Sequence, residues 1–224
     1  MKKKIIIIDN SNLAYSGDEI NGVTLRGTET SLILLAEQFV KMNIEVHFCN
    51  NILETKIVNG VKYFNKKKID KSDLYNLAIA ISDANQFNNV SALKKAVFSN
   101  SNQPFEKFLR KKQLIPFLKH KPVLVTLCNY QYHKRSFLTS FYGKRMIPIT
   151  VDPKFLNIDI DLEYLPKKKV VYNIRSNRNL DWLLDIWCKK IFPFNKDFEL
   201  YITPNIINYS NKLRAQNIFL RKIG

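Results

Sequence analysis

Apolar positions along this chain fall into short β-type runs separated by stretches of helical period. The runs predict strands at residues 4–9, 45–50, 78–82, 96–98, 123–127 and 146–150. Between them, residues 30–42 set Leu32, Leu35, Ala36, Phe39 and Val40 on one helical face, residues 105–118 do the same with Phe108, Leu109, Leu114 and Ile115, and residues 131–141 give a third helix. Pro104 suits a first helical turn and Gly143 a helix end. Asn59-Gly60, flanked by residues 55–58 and 61–64, predicts a hairpin inserted after the second strand. Strands alternating with helices imply a mostly parallel, Rossmann-like sheet with helices on its faces, the α/β class.

The pattern breaks at residues 152–167, which have no period and carry Asp159, Asp161, Glu163, Pro153 and Pro166. They predict a linker after a first domain of residues 1–151. A new alternation fills residues 168–224: a strand at 170–174, a helix at 180–191, a strand at 198–203 and a short strand at 217–220. Two or three strands do not fill a doubly wound domain, so this second α/β domain is expected to be incomplete.

Composition narrows the class. Of 224 residues 46% are hydrophobic, with only 6 Gly and 8 Pro, which excludes a disordered or low-complexity chain. The apolar run at the start is four isoleucines ending at Asp9, too short for a signal-peptide core, and no stretch reaches the roughly 18 apolar residues of a membrane span. Cys49, Cys128 and Cys188 lack metal-ligand or disulfide spacing, so a cytoplasmic protein with no metal site is expected. The net charge of +17 attracts polyanions: nucleic acid, anionic lipid or nucleotide-linked substrates.

The segment from Lys168 to Trp187 carries the most chemistry. A β-type run there delivers Arg175 and Arg178 just ahead of an amphipathic helix. Guanidinium forks at that place suit phosphate oxygens, at roughly 1.5 to 3 kcal/mol per charge-assisted hydrogen bond. The alternative is that both are solvated or paired with carboxylates. His47 lies in an apolar strand and reads as a core residue, and His120 reads as a neighbour of surface lysines. His133 with Asn129 and Arg135 lines a cleft or simply faces solvent. The loop Asp9-Asn-Ser-Asn12 and Asp83 lie beyond strand ends, where ligands bind or Asx side chains cap turns. Phe105, Phe108, Phe117, Phe137 and Phe141, interleaved with lysines, read as core, with base stacking as the alternative.

Taken in order, these motifs resemble the family 4 retaining glycosyltransferases of the GT-B fold. Leu25-Arg-Gly-Thr-Glu29 is similar to the family's glycine-rich turn, with Gly27 and Glu29 on its Gly-x-Glu positions. Thr126-Leu-Cys-Asn-Tyr-Gln-Tyr-His-Lys-Arg135 resembles its strand-to-helix segment, placing Asn129 and His133 at the cleft. Val171-Tyr-Asn-Ile-Arg175 and Arg178-Asn-Leu-Asp181 resemble the donor-phosphate motif, with Ile174 and Asn179 where the family has glycines. Asn100 falls by position where the family has an acceptor-side His. The resemblance implies transfer of a hexose from a nucleoside-diphosphate sugar to a glycan or lipid-linked acceptor, with no cofactor and no metal. It also implies Arg175 and Arg178 on the donor phosphates, and peripheral contact with an anionic inner membrane face. The family's distal Glu pair has no counterpart here, so a transferase inactive through truncation is a second expectation. A basic nucleic-acid-binding α/β protein is the alternative.

Overall fold

A computed structural model of the chain describes residues 2–21, 25, 27–99, 105–134, 141–148, 168–172, 179–202 and 218–220. It divides into two compact units, Met1–Asp152 and Pro153–Gly224. The first is built on β1 (Lys4–Ile8), β2 (Glu45–Asn50), β3 (Lys56–Val58), β4 (Val61–Asn65), β5 (Leu74–Ile81), β6 (Ser91–Ser99), β7 (Val123–Thr126) and β8 (Lys144–Met146). These form one sheet in the order β3-β4-β2-β1-β5-β6-β7-β8. Every neighbouring pair is parallel except the β3–β4 hairpin.

The four isoleucines of β1 explain its central place. All are buried, and a strand apolar on both faces belongs inside a sheet covered on both sides. Ile5 and Ile7 join Leu32, Ile33 and Ala36 of α1 (Gly27–Lys41) in one layer. Ile6 and Ile8 face the other layer, with Phe108 of α2 (Phe105–Arg110) and Phe117 of α3 (Leu114–His120). Each such side chain contributes roughly 1.5 to 3 kcal/mol on full burial. Asn43, at φ 60°, closes α1: its N–H and that of Ile44 return to the Val40 and Phe39 carbonyls.

Several sequence expectations need correction. The helix predicted over residues 105–118 is two helices, broken where Lys112 takes φ 52°. Pro116 supplies the reason. In one continuous helix its ring would meet the carbonyl of Lys112, whereas in the first turn of α3 it displaces no hydrogen bond. The strand expected over residues 146–150 is β8, two residues earlier, and α4 (Asn129–Lys134) starts two residues ahead of its predicted place. Strands β5 and β6 extend four or five residues further toward their amino ends than expected. There the polar Asn76, Lys94 and Lys95 mask the pattern, although the Leu77–Lys94 and Ala78–Lys95 pairs continue the ladder. The hairpin follows the Asn-Gly signal, with Asn59 at φ 49° and Gly60 at φ 79°.

The second unit has a parallel sheet in the order β11-β10-β9, from β9 (Lys169–Tyr172), β10 (Glu199–Ile202) and β11 (Ile218–Leu220). Between β9 and β10 lies α5 (Leu180–Ile186), prolonged by a π-helical turn over Trp187–Ile191. Trp187, Leu180, Tyr172, Leu200 and Ile202 make its core. All of the predicted linker, residues 152–167, and Pro104, Arg135 and Phe137 lie outside the described residues.

Candidate functional site

Open parallel sheets take ligands where the chain leaves the carboxyl ends of the strands, near the point where strand order reverses. In the large sheet the order reverses at β1, whose neighbours are β2 on one side and β5 on the other. Asp9 follows β1 directly and is only 4% exposed. It accepts hydrogen bonds from the Ser11 N–H at 3.0 Å, the Ser11 hydroxyl at 2.8 Å and the Tyr15 hydroxyl at 2.6 Å. Burial first, then the Asp9 charge, hold the Tyr15 hydroxyl far above its ordinary value. This loop caps itself, so Asp9 supports the backbone rather than facing a ligand. Asp83 behaves alike after β5, accepting from the Asn85 N–H at 2.9 Å.

Gly27 opens α1, and a Cβ there would meet no atom within 4 Å. Glu29, in the same first turn, is buried, and its charge adds to the upward push on Tyr15. Asn129 and His133 lie elsewhere, on α4 beyond β7, three strand positions from β1. The structure does bring these two together. With Tyr132, Lys144, Arg145 and Met146 they line a cavity of about 240 Å³ between α4 and the edge strand β8. Asn129, Tyr132 and His133 stand at positions i, i+3 and i+4, one face of the helix.

Local bonds shape this cavity. The Gln131 side chain accepts from the Leu127 N–H at 3.0 Å and starts the helix, while the Ile147 N–H, at 2.9 Å from the Thr126 carbonyl, carries the ladder past β8. Lys144 donates from Nζ to the Tyr132 carbonyl at 3.0 Å and sits 4.2 Å from the centre of the Tyr132 ring. The Tyr132 and His133 rings meet edge to face at 5.3 Å. Sequence reasoning missed Lys144 and Arg145 because the strand was expected to begin after them. Charged residues on a short edge strand just past Gly143 were the available signal.

The remaining histidines are structural. His47 is buried, with Nδ1 2.9 Å from the Tyr75 hydroxyl and Nε2 3.0 Å from Glu45. Burial, then the Lys4 and Lys62 charges, lower its pKa. His120 is more enclosed than a surface neighbour of lysines. It lies edge-on to Phe87, with Nδ1 3.1 Å from the Lys95 ammonium and Nε2 2.9 Å from the Asn88 side-chain oxygen. Burial first, then the charges of Lys95 and Lys119, push it down to about 4. Phe108 and Phe117 are core, while Phe141 is exposed. Among the described residues, no group of three His, Cys, Asp or Glu is placed to hold a metal ion. No helix among them is long and apolar enough to cross a membrane. Arg175, Arg178 and Asn100 lie outside the described residues.

No family model matches the chain, and no curated protein matches it in sequence. Among solved structures it is similar to sucrose-phosphate synthase from Thermosynechococcus elongatus, with a TM-score of 0.59 at 10% identity. That likeness covers 98% of this chain and 70% of that one. The fold is GT-B-like. A largely parallel eight-stranded sheet with a smaller second sheet has its structural counterpart in that synthase.

Proposed function

We propose that this chain is a family-4-type retaining glycosyltransferase, moving a hexose from a nucleoside-diphosphate sugar to a glycan or lipid-linked acceptor. The observation that supports the reading most is the parallel β9–β10 pair with α5 between the two strands in sequence. Strand β9 ends at Tyr172 and α5 begins at Leu180, and the sequence that connects this strand to this helix carries Arg175 and Arg178. Connections of that kind bind phosphates in α/β proteins. The fold likeness across both units supports the same reading.

In this reading the two guanidinium groups neutralise charge that grows on the diphosphate as its bond to the sugar breaks. Interactions that strengthen along that path lower the barrier. Losing two charge-assisted contacts of roughly 1.5 to 3 kcal/mol each predicts a rate loss on the order of a hundredfold or more. Release of nucleoside diphosphate from UDP-glucose or GDP-mannose by the full chain, with and without acceptor, checks this. The double variant Arg175→Ala, Arg178→Ala should abolish the release, and turnover equal to the parent would contradict the proposal. If the chain lacks turnover but binds the donor through these arginines, it is a transferase fold without activity.

Membrane contact belongs to the same proposal. Leu109, Ile115 and Leu118 are exposed on α2 and α3, and Arg110, Lys111, Lys112, Lys119 and Lys121 flank them without a carboxylate between residues 107 and 121. Cations beside exposed apolar side chains suit an anionic bilayer surface, at about 1 kcal/mol per Lys or Arg near the surface. Co-sedimentation with phosphatidylglycerol vesicles, weakened by Ile115→Asp and absent with phosphatidylcholine, is the expected result. Equal sedimentation of parent and variant would remove the membrane from the scheme.

A further inference from the structure

The cavity between α4 and β8 is one-sided in charge. Lys144 and Arg145 border it, Asn129 and His133 add amide and ring groups, Tyr132 adds aromatic surface, and no carboxylate is among its described lining residues. Among the described residues no ion pair reaches Lys144 or Arg145. Surface lysines usually swing freely in water, and fixing one costs up to about 2 kcal/mol of rotamer entropy. Lys144 is already fixed by the Tyr132 carbonyl and ring. That bond uses one of its three N–H donors, and Arg145 gives Nη1 to the Lys144 carbonyl at 2.9 Å and makes no other side-chain hydrogen bond to a described residue. An arriving anion therefore meets a charge ordered during folding, the condition under which binding loses least.

We propose that this cavity holds the phosphate group of a phosphorylated sugar acceptor. A phosphate monoester carries roughly −1.5 to −2 charge near neutral pH with three acceptor oxygens, which matches two cations and neighbouring amide and imidazole donors. A carboxylate offers one charge and two oxygens, fewer than the donors gathered here. At about 240 Å³ the space is smaller than pockets for drug-sized ligands and suits a monosaccharide better than a nucleotide. Tyr132 supplies an apolar ring face for the sugar, and Asn129 and His133 supply hydrogen-bonding groups for its hydroxyls. The word acceptor rests on the transferase reading; the anion site stands on the cavity.

Titration calorimetry of the full chain with glucose 6-phosphate, inorganic phosphate and glucose tests it. Glucose 6-phosphate should bind, more tightly than inorganic phosphate, and glucose should give no heat. Lys144→Ala should weaken glucose 6-phosphate at least tenfold, Lys144→Arg should retain most of the affinity, and Arg145→Ala, on the exposed edge strand, gives an independent second loss. No binding of glucose 6-phosphate, equal affinity in the alanine variants, or inorganic phosphate binding as tightly as the sugar phosphate would each overturn the proposal. Nucleotide-sugar binding by Lys144→Ala should stay as in the parent, so failure here is distinguishable from failure of the transferase reading, which is tested at Arg175 and Arg178.

Discussion

Two polar regions of the large sheet differ in how far their groups satisfy one another. At the amino ends of the strands, Lys4, Glu45, His47, Asp73 and Tyr75 form a closed set. The Lys4 ammonium is 3.0 Å from Asp73 and 3.8 Å from Glu45, and His47 bridges Glu45 and Tyr75. Beside β8, Lys144, Arg145, His133 and Asn129 border a cavity with no carboxylate among its described lining residues. Polar side chains that close on each other contribute to stability. Cations without acid partners along a concavity leave their binding capacity for a ligand. Chemical type alone does not separate the two regions, since each contains a lysine and a histidine; partners do.

The comparison breaks if amino-end substitutions spare stability. Tyr75→Phe removes the hydroxyl facing buried His47 and should cost about 1 to 3 kcal/mol in urea unfolding. Lys144→Ala, which gives up its bond to the Tyr132 carbonyl and the ring contact on a partly exposed edge strand, should cost about 1 kcal/mol while losing ligand. A Tyr75→Phe variant as stable as the parent would mean that the amino-end set is not stabilising.

A smaller effect sharpens the contrast through pH. His120 and His47 both have folded pKa values below the ordinary 6.5, His120 at about 4. Below pH 6.5 the unfolded chain takes up protons that these folded imidazoles refuse. Stability is therefore full above about 6.5 and falls as pH drops toward 4. Because His120 is partly exposed, solvent screening leaves its share on the order of 1 kcal/mol. Thermal unfolding midpoints measured from pH 7.5 to 4.5 should fall, and His120→Gln should flatten the slope. An unchanged slope in that variant would show that His120 takes up its proton alike in the folded and unfolded chain, against its lowered folded value.

Much of the fold was legible because its strongest signals are local and redundant. Four isoleucines in a row, the Asn59-Gly60 turn and the periodic face of α1 each name their element without help from the rest of the chain. The break between α2 and α3 was readable in principle from Pro116, but the apolar period running through it was the louder signal. Edge strands were the weak point. Lys144 and Arg145 show no period-2 pattern, and β8 forms through backbone pairing to β7 rather than through its own burial. The site was legible only in part for the same reason. Asn129 and His133 carry a spacing that a helix turns into one face, whereas their basic partners come from a strand that only the folded sheet places beside them.

The central claim is that Arg175 and Arg178 hold the diphosphate of a nucleotide sugar. Calorimetric titration of the full chain with UDP-glucose, GDP-mannose and a single-stranded oligonucleotide, repeated on the double alanine variant, tests it most directly. At least one nucleotide sugar should bind saturably to the parent, and that binding should be lost in the variant. Binding of the oligonucleotide alone, falling steeply with salt and indifferent to the two arginines, would contradict it.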